Sequence, residues 1–181
     1  MSRINTVFAA AIVFAGALSL TGGAALAASG GSSGSDTTQV VKCNKGWTYD
    51  QSKKACVKNQ SMNDQQLYQQ GRALALAGDY TNALDSLNAI RNKNDAMVLT
   101  MIGYSTRKLG NYDEGLAYYA KALAIDPSNI NTHEYLGEAY AEKGQLDLAK
   151  AELVKVAAVG GTTTEQYLDL AKAIAGQPDA G

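Results

Sequence analysis

Two cysteines, Cys43 and Cys56, are the residues of this 181-residue chain whose spacing most narrowly limits their chemistry. Twelve residues separate them, which excludes the CxxC arrangement of a redox pair. Structural zinc needs four ligands, and no histidine lies close enough along the sequence to complete such a set. An even cysteine count in an exported chain favours a disulfide. Because the N-terminus indicates export, as described below, we predict that Cys43 and Cys56 are bonded to each other.

Catalysis needs a positioned cluster of titratable side chains, and the sequence offers little of that kind. The single histidine, His133, occupies a helix position that normally faces adjoining helices, so we expect a core or boundary residue rather than a base. Glu134 and Glu138 stand four apart on one helix face, which is typical of a solvated or partner-binding surface. Phosphate-binding loops and metalloprotease or hydrolase motifs are also missing. We therefore predict a non-enzymatic protein with no cofactor and no metal.

Residues 1–27 have the pattern of a secretory signal peptide. Arg3 precedes an apolar run over residues 7–20, and small residues follow, ending at Ala27. This run is shorter than the about 20 residues that a membrane-spanning helix needs. We expect cleavage after Ala27, no integral span in the mature chain, and export, with the periplasm of a Gram-negative bacterium as the compartment. Residues 28–39, rich in Gly, Ser and Thr, should form a flexible linker.

Residues 40–58 enclose both cysteines and are typical of a small disulfide-closed β-hairpin. Trp47 and Tyr49 lie on an extended run before turn-forming residues 50–52. Two interpretations stay open: the aromatics form a platform for a sugar ring or partner, or they pack on a neighbouring helix. Five lysines against one aspartate give residues 42–58 a net charge of +4, whereas residues 59–181 carry a net −5. The hairpin could therefore also dock on its own chain.

The elements that must position these residues come from an internal repeat. Glycines seven residues apart recur three times at nearly constant intervals: Gly71 and Gly78, Gly103 and Gly110, Gly137 and Gly144. Aligned on these pairs, residues 64–95, 96–129 and 130–163 place small and large residues in the same columns, which indicates stacked repeats. The first glycine of each pair should let two helices approach closely, and the second should end a helix.

Helix boundaries follow from the same alignment. Asn111 with Glu114, and Thr162 with Glu165, are spaced as capping boxes at helix starts. The first unit is two residues shorter than the second, so we expect its second helix to be short. Residues 164–175 continue the register and should form a helix that covers the last apolar face, with residues 177–181 as a frayed tail.

The repeat closely resembles the tetratricopeptide repeat, a helix-turn-helix unit of about 34 residues, in its glycine columns and in the large residues between them. The resemblance implies an all-α, right-handed α-solenoid over residues 62–176, built from three repeats and the capping helix. It also implies a concave groove lined by first helices. The groove residues that we single out are Tyr68, Arg72, Met97, Met101, Tyr104, Arg107, Lys108, Asn131, Glu134, Tyr135 and Glu138.

Tyrosine and arginine are common interface anchors, so this set favours an unidentified protein or peptide partner. The competing interpretation of each single groove residue is ordinary solvated helix surface. Sixteen basic against 17 acidic residues leave a net charge of −1, which gives no electrostatic basis for binding nucleic acid. We predict an interaction scaffold in the bacterial envelope. The alternative is a cell-wall or polysaccharide-associated protein that binds glycan through Trp47 and Tyr49.

Overall fold

A computed structural model describes residues 41–176, all within one compact unit, Thr38–Gly181. The predictions for the signal peptide, the linker and the tail lie outside the described residues. Within residues 41–176 the chain forms a β-hairpin, a 3-10 turn at Asn59–Ser61, and seven α-helices. The elements are β1 Trp47–Asp50, β2 Ala55–Lys58, α1 Asp64–Leu76, α2 Tyr80–Asn88, α3 Ala96–Lys108, α4 Tyr112–Ile125, α5 Ile130–Glu142, α6 Leu146–Gly160 and α7 Glu165–Ile174.

The helices form an α-solenoid of three helix-turn-helix repeats and a capping helix, as predicted. α1 packs on α2, α3 on α4 and α5 on α6, while α7 packs on both α5 and α6. The first helices α1 and α3 contact each other, as do α3 and α5, so they form one layer of the stack. The second helix of the first unit is short, as expected, because α2 has 9 residues against 14 in α4.

Glycines mark the closest helix contacts. A Cβ added at Gly103 would lie 2.8 Å from the Tyr119 ring and 2.9 Å from the carbonyl oxygen of Gly115, so α3 and α4 touch there through backbone. Gly71 lies beside Leu87 in the same way. The third unit departs from its column. The nearest atoms to Gly137 belong to Leu170 of α7, not to a leucine of α6.

The turns within and between the helical hairpins are of two kinds. Within hairpins, a glycine with positive φ, such as Gly110 at +95°, ends the first helix, and the next residue adopts a ψ near +60°. Between hairpins, extended residues such as Asp95 and Asn129 accept hydrogen bonds from the first backbone N–H groups of the next helix. The extended backbone is the usual N-cap conformation, because it directs the side chain back toward those donors.

Neither predicted capping box forms. Asn111 follows a glycine turn, has a ψ of 67° and makes no side-chain cap hydrogen bond, so it does not form a box with Glu114. At the last helix the cap is Thr164 instead of Thr162, and its hydroxyl accepts from the N–H of Tyr167 at 3.4 Å. The shift arises because α6 continues to Gly160, and the turn then occupies residues 161–163.

The N-terminal hairpin is held by the predicted disulfide between Cys43 and Cys56, whose Cα atoms are 5.8 Å apart. β1 pairs antiparallel with β2, which places Trp47 opposite Lys58. Asp50 closes the turn by accepting hydrogen bonds from the hydroxyl and the backbone N–H of Ser52. The hydroxyl contact, together with the backbone N–H groups of Lys53 and Ser52, lowers the pKa of the Asp50 carboxyl to about 2.

The hairpin faces the helices with Thr48 and its cross-strand neighbour Val57, which contradicts one of the two interpretations left open, that the aromatics pack there. Thr48 is 1% exposed; its hydroxyl donates to Asn59 at 2.6 Å and lies 3.0 Å from the hydroxyl of Ser86 on α2. Trp47, on the opposite face of β1, is 42% exposed. Alternation along the strand explains the result, because burying Thr48 turns both flanking aromatics away from α2.

The capping helix covers the last repeat only in part. Leu170 is fully buried against α5 beside Gly137. Leu168 on α7 and Val154 on α6 are 53% and 69% exposed, so the predicted apolar face stays partly open to solvent. None of the helices in residues 41–176 combines the length and the hydropathy that a membrane span requires.

Candidate functional site

A continuous groove runs along the layer of first helices, lined by residues of α1, α3, α5 and α7. Three clefts compose it: one of about 230 Å³ near the start of α1 and α3, one of about 300 Å³ that reaches α7, and a narrow neck between them. Tyr68 and Met97 line both the first cleft and the neck. Arg72, Asn131 and Tyr135 line both the neck and the larger cleft. We call this surface the first-helix groove.

The smaller cleft has a mixed lining, in which Tyr68, Ile90, Met97 and Val98 supply the apolar surface and Asp64, Gln65, Asn92 and Asp95 supply the polar surface. Ile90 and Val98 are buried in its walls, and Met97 is 47% exposed at its opening. Asp64 holds the loop that forms one side. Its carboxylate accepts the backbone N–H groups of Arg91 and Asn92 at 3.2 and 3.1 Å, and these bonds lower the pKa of the Asp64 carboxyl. The cleft is therefore a preformed feature of the α2–α3 connection.

The larger cleft combines tyrosines with carboxylates. The Tyr104 and Tyr135 rings lie 4.8 Å apart, and burial together with the carboxylates of Glu134 and Glu138 raises the pKa of Tyr135. Its phenol therefore stays protonated and can donate a hydrogen bond at neutral pH. The charged residues that line the larger cleft are Arg72, Glu134, Glu138, Glu165 and Asp169.

Beside this cleft lies a buried ion-pair network around Arg107. The Arg107 guanidinium is ion-paired with Glu138 at 3.2 Å and with Glu142, and Lys108 donates to Glu142 at 2.9 Å. Burial opposes ionisation of Glu142, but the hydrogen bonds and positive charges of Arg107 and Lys108 together outweigh it and lower the pKa of Glu142. Residues 107 and 108 come from α3 and their partners from α5, so the network joins two successive repeats.

A second polar contact joins the same two helices. The hydroxyls of Thr100 on α3 and Thr132 on α5 lie 2.6 Å apart, with both side chains buried. Thr100 also donates to the carbonyl of Ala96 one turn earlier, which leaves Thr132 as the donor to Thr100. Sequence reasoning did not identify Thr132, because the repeat columns align Thr100 with Glu134 and give no signal for this pair.

The structure brings together most of the groove residues singled out from the sequence. Tyr68, Arg72, Met97, Met101, Tyr104, Asn131, Glu134, Tyr135 and Glu138 line the three clefts. Arg107 and Lys108 line none of these three, and Arg107 is only 4% exposed. The prediction of Arg107 as a partner-contacting residue is therefore wrong: its guanidinium is used inside the stack.

Three groove residues of the last helix, Glu165, Gln166 and Asp169, were missed. Glu165 and Asp169 line the larger cleft from α7. Their positions are the second and sixth of a fourth unit starting at residue 164, the columns that Asn131 and Tyr135 occupy in the third. If the groove-lining columns of the repeat are extended to the capping helix, they predict Glu165 and Asp169. Glu134 and Glu138 lie in the groove but are 6% and 7% exposed, which contradicts the solvated surface and leaves the partner-binding surface as the prediction.

His133 is a buried residue, as expected. Its Nδ1 lies 2.7 Å from a carboxylate oxygen of Glu152, and its Nε2 lies 2.9 Å from the carbonyl oxygen of Pro127. Both ring nitrogens are thus engaged in joining α5 to α6 and to the preceding loop. Among residues 41–176, no group of three or more His, Cys, Asp or Glu side chains is arranged to hold a metal ion.

The hairpin presents the other predicted surface. Trp47 is exposed, Lys58 lies 5.9 Å from the centre of its ring, and Tyr49 is half-buried on the same face of β1. An ion pair between Lys42 and Asp79 at 3.2 Å, with the Thr48 contact, attaches the hairpin at α2. Residues 41–58 do not line the three clefts, so the hairpin docks on its own chain away from the groove.

Two segments of the repeat region are similar to known repeat families. Residues 103–144 match a family model described as TPR repeat, and residues 67–95 match one described as tetratricopeptide repeat. A TPR repeat-containing protein of Borreliella burgdorferi is 35% identical over 91 residues, which cover 50% of this chain and 34% of the relative. The match thus spans about a third of that relative's length.

A solved structure shares the fold. It is the type III secretion chaperone SycD of Yersinia enterocolitica in complex with a peptide of the translocator YopD, with a TM-score of 0.50 and 18% identity. The superposition covers 62% of this chain and 86% of the chaperone chain.

Proposed function

From its tetratricopeptide repeats, we propose that this chain is a non-enzymatic interaction scaffold that holds a peptide segment of a partner protein in the first-helix groove. The observation that carries the proposal is the continuity of the groove across α1, α3, α5 and α7. Curved helical solenoids generally use this extended surface for binding. The likeness to a chaperone solved with a bound peptide supports the same use of the fold.

The lining of the groove suits peptide binding. Tyrosines are large, rigid and amphipathic, and Tyr104 is positioned by ring contacts with Tyr80 at 6.1 Å and with Tyr135 at 4.8 Å between centres. Such preformed aromatic surfaces are frequent hot spots, because they lose little conformational entropy when a partner binds. The ion pairs between α3 and α5 hold the two helices in place, so the groove is shaped before a partner arrives.

The location that we propose is the bacterial envelope, with the chain exported and cleaved after Ala27. The bonded pair Cys43 and Cys56 supports this, because disulfides persist in oxidising compartments outside the cytosol. An N-terminus at Ala28, measured by mass spectrometry on the chain isolated from cells, would agree with the proposal, and an intact Met1 would contradict it.

A second candidate function is attachment to cell-wall glycan through the hairpin. The observation in its favour is that Trp47 does not pack on α2 and is exposed on the same strand face as Tyr49. Aromatic faces of this kind can stack against sugar rings, and the surrounding lysines could contact acidic groups of a wall polymer. The aromatic pair is small, and the groove offers a much larger surface.

The experiment compares variants of these two surfaces. A phage-displayed library of random peptides is selected on the immobilised protein, and affinities of the enriched peptides are measured by fluorescence polarisation. We expect the exposed groove substitution Met97→Glu to weaken binding at least about tenfold, because a charge replaces an apolar contact, with Trp47→Ala indistinguishable from wild type. Val154→Glu on α6, 69% exposed and outside the groove, is the matched control.

Two outcomes would overturn the proposal: no enriched peptide, or equal affinity of Met97→Glu and wild type. Circular dichroism of each variant verifies that the helices stay folded. Retention on purified cell wall that is lost in Trp47→Ala and kept in Met97→Glu would instead favour the glycan function.

A further inference from the structure

The two ends of the first-helix groove differ in chemistry, and this difference specifies a partner. At the α1–α3 end, the exposed side chain of Met97 lies beside Tyr68 and the buried Ile90 and Val98. The carboxylates of Asp64 and Asp95 also line this end, but both accept hydrogen bonds from backbone N–H groups of the protein. Burial of apolar surface in such a cleft favours binding by roughly 25 cal/mol per Å². A leucine-sized or aromatic side chain is the occupant that this end favours.

The α5–α7 end carries an excess of negative charge. Four carboxylates line it, two from α5 and two from α7, against the single lining cation Arg72. Glu138 is neutralised by Arg107 at 3.2 Å. Glu165 and Asp169 are different, because in the described part of the chain neither has an ion-pair partner. A cation from another molecule would complete the charge balance here, and an acidic segment would be repelled.

The two ends belong to one path. The neck shares Tyr68 and Met97 with the smaller cleft, and Arg72, Asn131 and Tyr135 with the acidic cleft. Two steps between neighbouring packed helices span about 16–20 Å. An extended chain covers about 3.3 Å per residue, so five or six residues would join the two ends.

The basic hairpin of this chain is not the occupant. Its charge of +4 would suit the acidic end, but Lys42 is paired with Asp79 and Thr48 contacts Ser86, both of which place the hairpin on α2. The cation must therefore come from a partner.

Building on the proposed function, we propose that the groove binds an extended peptide with a large apolar side chain at the α1–α3 end and a Lys or Arg about five or six residues away at the α5–α7 end. The apolar residue supplies burial, and the cation supplies charge complementarity with Glu165 and Asp169. The spacing gives register, because only one alignment of such a peptide satisfies both ends.

The test uses peptides enriched from the phage library, resynthesised with blocked termini. The double charge reversal Glu165→Lys/Asp169→Lys should weaken a basic peptide at least about tenfold, and changing its Lys or Arg to Glu should restore affinity toward that variant. The control Asp113→Lys/Glu114→Lys makes the same change in net charge on α4, outside the groove. It should leave affinity within twofold. The isosteric Glu165→Gln/Asp169→Asn keeps the test decisive if the reversal disturbs α7.

Each outcome decides between distinct claims. Enriched peptides that share the apolar–basic spacing, with rescue by the swapped charge, support the inference. Enriched peptides that show no preference for a basic residue, and whose binding is still lost in Met97→Glu, overturn the inference and leave the proposed function standing. Absence of any enriched peptide overturns the proposed function itself. Light scattering of the unliganded protein tests whether a second copy of the chain occupies the groove. A dimer that dissociates in Met97→Glu would place that copy in the groove and overturn the inference.

Discussion

Several buried charged side chains lie at the junction of α3 and α5. Arg107 is 4% exposed and reaches two glutamates of the next repeat, and its aliphatic stem covers Gly115 of α4. A repeat column assigns a residue to a helix face, but it does not say whether a long side chain extends outward or folds along the neighbouring helix. This is why the sequence could predict the position of Arg107 and not its role.

We expect Arg107→Met to lower the free energy of unfolding by about 3 kcal/mol, because the buried carboxylate of Glu138 loses its cation. The matched change Lys108→Met should cost less than about 1 kcal/mol, since the side chain of its partner Glu142 is 44% exposed and the pair is partly screened by solvent. Urea unfolding followed by circular dichroism measures both. Replacing Glu138 with Leu in the Arg107→Met background should recover part of the loss.

Similar losses in Arg107→Met and Lys108→Met would contradict the assignment of Arg107 as a buried link between repeats.

At the scale of elements, the helices approach each other most closely at glycines. The regular glycine spacing predicts the pairing of α3 with α4, and the structure places Gly103 against Gly115 and Tyr119. The pairing of α5 with α6 is also as predicted, but the neighbours of Gly137 could not be predicted from the columns alone. There Leu170 comes from beyond the repeat, and Glu152 is turned inward to meet His133. Side-chain pairing between helices therefore altered the packing that the column pattern implies.

Gly103→Ala should destabilise the protein by about 2 kcal/mol or more, because the new methyl group meets a backbone carbonyl at 2.9 Å and an enclosed tyrosine ring. Gly137→Ala should cost less. Its closest neighbours are the terminal carbons of Leu170, on the last helix of the stack, which can shift. Thermal and urea unfolding of the two variants give the comparison.

The sign of the stability change in Gly103→Ala is informative by itself. Replacing glycine by alanine in an unobstructed helix stabilises the helix by up to about 1 kcal/mol. A more stable Gly103→Ala, or a Gly137→Ala that is the worse of the two, would show that α3 and α4 are less closely packed than described.

On the scale of the whole molecule, the disulfide hairpin closes the N-terminal end of the stack. Thr48 and Asn59 bond to Ser86 and to the backbone of Asp85 on α2. The bonded cysteines were predictable from their number and setting. The docked face was not, because a short strand with alternating aromatic and polar side chains offers two faces, and the outcome depended on a hydroxyl partner far along the chain.

The double substitution Cys43→Ala/Cys56→Ala should increase amide hydrogen exchange in residues 44–60 by at least about tenfold and affect α1 and α2 less. Loss of a short closed loop costs about 3 kcal/mol in the chain-entropy model, and that cost falls on the hairpin first. Exchange followed by mass spectrometry measures it, with reduced wild type as an independent control. Equal acceleration in α5 and α6 would mean that the disulfide stabilises the whole stack and not its end.

The two kinds of turn give the chain a modular construction. Tight glycine turns belong inside each helical hairpin, whereas the connections between hairpins are extended and capped by the side chain at the start of the next helix. Each cap is therefore inherited together with the hairpin it begins. A duplicated stretch from Asp95 to Ser128 would carry its own cap and end at a site ready for the next one. The junction before Asn129 is thus the natural place to lengthen the groove by one whole unit.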